Sequence, residues 1–194
     1  MRNKQLPTLA PHDSCTGCMA CGEICPTDAI SFQPDKEKFL YPSVEADVCV
    51  RCYKCMDVCP IVSESKDVDA NAPRVYASWA KGEGRLESAS GGVFYALAER
   101  VIIEGGYACG AVFDGRSVKH IITNNISELH RIQGTKYQQS DVSGCYKRIR
   151  ELLKADKKVI FGGTSCQVAG LMGVVGHKTT NLITVDLVCY GVPS

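Results

Sequence analysis

The sequence predicts a small α+β unit organised around metal, followed by an α/β layer that is incomplete. Three observations predict it. Eight of the 12 cysteines fall in two tight runs before residue 60. Apolar runs of strand length alternate with helical patterns from about residue 74 onward, the signature of an α/β layer. The last of these runs, Leu182 to Val188, stands at the end of the chain with no crossover after it.

The first cysteine run reads Cys15-x2-Cys18-x2-Cys21-x3-Cys25-Pro26, and the second reads Cys49-x2-Cys52-x2-Cys55-x3-Cys59-Pro60. Three thiolates two residues apart can wrap one corner of an iron–sulfur cubane. The fourth lies too far along to close the same site, and in two-cluster ferredoxins it ligates the other cluster. That rule assigns Cys15, Cys18, Cys21 and Cys59 to one 4Fe-4S cluster, and Cys49, Cys52, Cys55 and Cys25 to a second. Zinc would leave the third cysteine of each run without a role, and a disulfide framework needs no internal repeat of this kind. Residues 1–65 are therefore expected to form a ferredoxin-like two-cluster domain. Ala29 to Phe32 and Phe39 to Pro42 read as two strands around the polar turn Pro34 to Glu37. With almost no core besides its metal, such a domain should fold only as its clusters assemble.

Charge and hydropathy exclude several classes. Lys plus Arg number 22 against 21 Asp plus Glu, so the chain lacks the basic excess of a nucleic-acid binder. Met1 to Ser14 holds no signal-peptide core, and no later run approaches the roughly 20 apolar residues of a membrane span. The expectation is a cytoplasmic protein whose partner is another redox protein or subunit.

From Ser63 to Pro73 the composition turns polar and charged, which places a linker at 66–73 and a second domain at 74–194. Strands are expected at Val75 to Ala80, Tyr107 to Phe113, Val118 to Thr123, Lys158 to Phe161 and, buried, Leu182 to Val188. Helices are expected at Gly91 to Glu104 with an apolar face of Phe94, Leu97, Ala98 and Val101, at Ser127 to Ile132 capped by Ser127, at Val142 to Ala155, and at Cys166 to Val174. Gly105-Gly106 reads as a helix stop. Ser194 reads as the cap of a helix that does not follow, so a C-terminally truncated protein is expected.

Five motifs in order carry a family resemblance: Ser88-Ala89-Ser90-Gly91-Gly92, Gly110 to Asp114, Gly134-Thr135-Lys136-Tyr137-Gln138-Gln139-Ser140, Gly163-Thr164-Ser165-Cys166-Gln167, and Asp186 to Ser194. With them the chain resembles the beta-subunit family of coenzyme F420 hydrogenases and dehydrogenases, in the branch with an N-terminal two-cluster ferredoxin domain. Ser165 and Tyr190 depart from that family's usual Pro and His. The resemblance implies an oxidoreductase subunit with a flavin, FAD, that exchanges a hydride with a soluble carrier, F420 or another, and passes single electrons to clusters.

Two segments suit the flavin's phosphates. Gly162 to Ser165 follows a strand and opens a helix, where backbone N–H groups and the helix dipole face an anion. Ser88, Ser90, Gly91 and Gly92 likewise precede a helix. Ordinary helix capping explains both segments as well. Gly163, Thr164, Lys136 and Tyr137 complete the candidate flavin set, with a solvated lysine and a packed tyrosine as the alternatives for the last two. Cys166 and Cys189 lie beyond the ends of parallel strands, the edge where α/β sheets gather ligands. Cys166 is a candidate for the flavin or for a further iron–sulfur cluster, and equally for simple packing. Cys109 and Cys145 read as core. His12, His120, His130 and His177 show no ligand spacing and receive no role. Two rival readings are a non-enzymatic electron carrier docking onto a partner enzyme and a redox sensor whose clusters govern folding.

Overall fold

The computed structural model describes residues 5–63, 73–176 and 179–193. In the N-terminal part, α1 (Ala20–Glu23) and α2 (Lys54–Asp57) flank an antiparallel hairpin of β1 (Ile30–Pro34) and β2 (Leu40–Val44). The Asp35 carboxylate accepts hydrogen bonds from the Glu37 and Phe39 N–H groups, both at 2.9 Å, and so shapes the predicted turn.

The remainder is a five-stranded mixed sheet with helices on both faces. Its elements are α3 (Val93–Ile103), β3 (Tyr107–Phe113), β4 (Val118–Thr123), α4 (Leu129–Ile132), β5 (Ser140–Asp141), α5 (Cys145–Lys154), β6 (Val159–Thr164), α6 (Ser165–Val175) and β7 (Leu182–Leu187). The strand order is β5-β4-β3-β6-β7, with only β3 and β4 antiparallel. The stop after α3 is a Schellman motif. Gly105, at φ 82°, donates to Ile102 O, and Gly106 donates to Val101 O.

Four expectations need correction. Val75 to Ala80 forms no strand: it has no sheet neighbour among the described residues, and Val75 is 90% exposed. The cap before α4 is Asn125, whose Oδ1 accepts the Ser127 N–H at 3.0 Å, and a 3-10 turn at Ile126–Glu128 precedes the helix. The helix expected from Val142 begins only at Cys145, because Gly144 takes a left-handed φ of 79°. Leu182–Leu187 is a strand but not a buried one. It lies at the sheet edge, paired only with β6, and Leu187 is 56% exposed. The expected linker falls largely outside the described residues, as do His177 and Ser194.

The core lies on both faces of the sheet. On one face of the sheet, α3 and α4 bury Ala98, Val101, Leu129 and Ile132 against Ala108, Val112 and Ile160. On the other, Phe161, Tyr146, Ile149 and Leu171 pack in one continuous cluster with Cys18, Met19, Ala20 and Val58 of the cysteine runs. Met19 is 1% exposed and Ala20 fully buried, so the first cysteine loop is part of the α/β core. Small residues allow this approach: a side chain at Gly170 would meet Cys18 Sγ at 3.2 Å and Ala20 Cβ at 3.2 Å.

Candidate functional site

The two cysteine runs fold alike. Gly17 and Met19 in the first, and Arg51 and Tyr53 in the second, are all left-handed, with φ of 63°, 63°, 54° and 61°. These positions match one another at the offset that separates Cys15 from Cys49. A non-glycine residue in that conformation costs about 1–2 kcal/mol, which the surrounding loop must offset. The result coils each run and ends it in one helical turn, α1 or α2.

Cys15, Cys18 and Cys21 line one small cavity together with Cys59, which arrives from the second run. Burial pushes the Cys15, Cys18 and Cys21 thiols up, Cys18 to about 11 and Cys21 to about 12. Neighbouring thiols add to each rise: Cys59 acts on Cys15, Cys18 and Cys21. In the second run burial raises Cys55, with further contributions from Cys52 and from Cys25 of the first run. Thiols held this way become thiolates only beside a strong positive centre, which suits metal ligation. All 12 cysteines are free. Among the described residues no group of three His, Cys, Asp or Glu side chains closes on a single ion.

Beside this site opens a larger cavity of about 720 Å³, within the roughly 300–1,000 Å³ typical of cofactor pockets. It sits at the C-terminal ends of the parallel strands β3, β6 and β7, where open α/β sheets bind ligands. Ser88, Ser90, Gly91 and Gly92 line it from the segment before α3. Lys136 joins them from the loop before β5, and Gly163, Thr164 and Cys166 from the β6–α6 turn. Cys189 lines it as well. Tyr137 does not: its side chain is 73% exposed to solvent. Thr16 and Gly17 of the first cysteine run complete the wall, so the cavity and the Cys15 loop share a boundary.

The polar groups on this wall are largely committed. Thr164 caps α6 through a capping box with Gln167, whose Oε1 accepts the Thr164 N–H at 3.1 Å. Gln167 Nε2 in turn donates to Ser140 Oγ at 2.8 Å, and the buried Tyr146 hydroxyl donates to Gln167 O at 3.0 Å. The capping box leaves the Ser165 and Cys166 N–H groups as the ones at this turn that it does not engage. Ser88 Oγ donates to Gly84 O at 2.8 Å. Lys136 is not a solvated lysine. Its ammonium donates to the carbonyls of Arg131, Gln133 and Gly134 at 3.1, 2.6 and 3.3 Å, at the C-terminus of α4 where positive charge is favoured. Burial lowers its pKa.

Three residues were missed in the sequence. Glu23, between Cys21 and Cys25, is 7% exposed, and its carboxylate accepts the Gly144 and Lys147 N–H groups at 2.7 and 3.0 Å. It thereby caps α5 from the cysteine loop. Gln139 accepts the Leu40 N–H at 3.0 Å, and its amide fills the space beside Gly17, tying the cavity wall to the hairpin. His120, given no role above, forms part of the cavity wall. Cys109 and Cys145 are buried core residues.

Residues 14–62 match the family of the 4Fe-4S dicluster domain. The N-terminal part is a ferredoxin-type iron–sulfur domain. Its 4Fe-4S chemistry is electron transfer, which calls for a redox partner. No curated protein matches the chain significantly. Among the described residues no helix is long and apolar enough to cross a membrane.

Proposed function

We propose that the chain is an oxidoreductase subunit that passes electrons between a flavin in the large cavity and two 4Fe-4S clusters. One cluster is held by Cys15, Cys18, Cys21 and Cys59, the other by Cys49, Cys52, Cys55 and Cys25. The observation that carries this reading is convergence. Three segments far apart in sequence, 88–92, 134–140 and 162–167, meet around one cofactor-sized cavity whose wall includes the loop of the first cluster. The motif resemblance to the F420 hydrogenase and dehydrogenase beta subunits points to FAD as the flavin and to F420 or a similar soluble hydride carrier as its partner.

A flavin supplies the exchange between a two-electron hydride and one-electron clusters. The chain's own residues bind and insulate. Gly91 lies against Ser78 O, where an added Cβ would come within 2.5 Å, so the backbone itself forms that wall. Lys136, fixed on three carbonyls, holds the loop that carries Gln139. Gln139 keeps the Cys15 loop at the cavity's edge, which sets the gap an electron crosses. Cys166 lies between the two sites, close enough to Cys15 and Cys18 to add to the rise in their pKa values.

The test is anaerobic titration of the iron-loaded chain with FAD, followed by quenching of flavin fluorescence and by the resolved flavin bands over the broad cluster absorption. One equivalent bound is expected. A chain that carries iron but binds no flavin would favour the simple electron carrier instead. Iron well above eight atoms per chain would reveal a further cluster at Cys166 and Cys189.

A further inference from the structure

The wall of the large cavity carries almost no charge. Among the described residues no Asp, Glu or Arg lines it, and Lys136 is its one side chain that is charged at neutral pH. The histidine on the wall, His120, is neutral there, because burial lowers its pKa to about 4, and its Nε2 donates to Gly162 O at 3.0 Å. Lys136 keeps its charge for a geometric reason. The carbonyls of Arg131, Gln133 and Gly134 all accept from its nitrogen, at 3.1, 2.6 and 3.3 Å, and a neutral amine has only two hydrogens to give. Gln133 and Gly134 themselves line the cavity, so the ammonium is held at its wall. Among the described residues no carboxylate offsets it: burial alone moves its pKa. Its field extends to the sheet, where it helps to keep His120 neutral.

A single unbalanced charge on an otherwise neutral wall favours a ligand of opposite sign. FAD offers negative charge in two places, its phosphates and its ring once reduced. Phosphate oxygens bind best through direct N–H donors, and the Lys136 hydrogens are all spent on carbonyls. Charge spread over a reduced ring needs only the field. We propose that Lys136 is a specificity-determining residue that makes the cavity hold reduced, anionic flavin more tightly than the oxidised, neutral form. The proposal rests on the flavin reading above and adds which redox state the site favours. Hydride transfer delivers that charge directly. A bond to hydrogen breaks on the carrier and one forms on the flavin ring, and both electrons move with the hydrogen. The carrier is oxidised, and the flavin is left reduced with one negative charge and no further proton required. Tighter binding of the reduced form raises the flavin's reduction potential in the site, because binding and reduction are linked.

The experiment measures the anaerobic affinity of the iron-loaded chain for riboflavin, which lacks phosphate, and for FAD, each oxidised and each reduced with dithionite. The pH is mildly alkaline, where free reduced flavin is itself an anion. The proteins are wild type, Lys136→Met, which keeps the stem without the charge, and Lys136→Arg, which keeps the charge. Affinity for reduced riboflavin should fall about five- to tenfold in Lys136→Met while that for oxidised riboflavin changes by less than about twofold, and Lys136→Arg should keep the wild-type preference. Equal losses for both redox states of riboflavin, or no loss for either, in a folded Lys136→Met chain would overturn the proposal while leaving the flavin reading intact. Loss of the preference in both variants would make the lysine's role one of loop packing and would overturn it too. So would a loss confined to FAD in both redox states, which would place the phosphates at the lysine. No flavin binding by wild type would remove both the proposal and the flavin reading. If Lys136→Met does not fold, wild type decides: added salt should weaken binding of reduced riboflavin and leave that of oxidised riboflavin unchanged, and an equal response of the two forms refutes the preference.

Discussion

Replacing Glu23 with Ala should loosen the N-terminal part from the α/β layer. The carboxylate accepts two backbone N–H groups at the start of α5, at 2.7 and 3.0 Å, and is 7% exposed. Hydrogen bonds to a charged acceptor contribute about 1.5–3 kcal/mol each. The two share one carboxylate and the freed N–H groups regain some water, so their joint loss should cost about 2–4 kcal/mol, including the lost charge at the helix N-terminus. For a chain of this size, about 2–4 °C accompanies each kcal/mol, so the unfolding midpoint should fall by about 5–15 °C. Glu23→Gln keeps an acceptor without the charge and should lose roughly half as much. The assay is thermal unfolding of the anaerobic, iron-loaded protein by far-ultraviolet circular dichroism, with iron per chain measured alongside. A fall of less than about 2 °C in Glu23→Ala at full iron content would refute the bridging role.

Other outcomes follow from the same geometry. Cys25→Ala should halve the iron content and perturb the spectrum of the cluster held by Cys49, Cys52 and Cys55; damage confined to the cluster of Cys15 would reverse the ligand assignment. Gly163→Val should lower thermal stability as well as flavin retention, because an added Cβ would meet the Phe161 ring at 2.7 Å and Gln167 Oε1 at 2.9 Å and break the α6 capping box; an unchanged unfolding midpoint would contradict that packing. Ala111→Leu fills the cavity from β3 and should abolish flavin retention while iron stays at the wild-type level; retained flavin would move the cofactor elsewhere.

The cysteine runs were legible because iron–sulfur ligation imposes strict spacing; the left-handed turns at Met19, Arg51 and Tyr53 were not, since none of the three is a glycine. Tyr107–Phe113 and Val118–Thr123 were legible too, since Asp114-Gly115 joins two apolar runs and Asp114 Oδ1 accepts from Arg116 and Ser117 in the turn. Val75 to Ala80 shows why composition alone misleads: β-prone residues form a strand only beside a pairing partner. Leu182–Leu187 has such a partner on one side only, and its apolar composition said nothing of its edge position. The cavity segments were each noted in the sequence as helix starts or motifs, but nothing in their spacing says that they converge. Long-range contacts were invisible for the same reason. Glu23 reads as a polar residue between cysteines, Gln139 as a loop glutamine and His120 as a lone histidine. Each acquires its role only from a partner, 121 residues away for Glu23 and Gly144, 99 for Gln139 and Leu40, and 42 for His120 and Gly162.

The most direct test of the proposed electron path is laser-flash reduction of the flavin-loaded, iron-loaded protein under anaerobic conditions. The flavin bands should recover as the cluster absorption bleaches, in a first-order step whose rate does not depend on protein concentration. Flavin that reoxidises only in a concentration-dependent reaction, with the clusters unchanged, would contradict an intramolecular path from the cavity to the Cys15 loop.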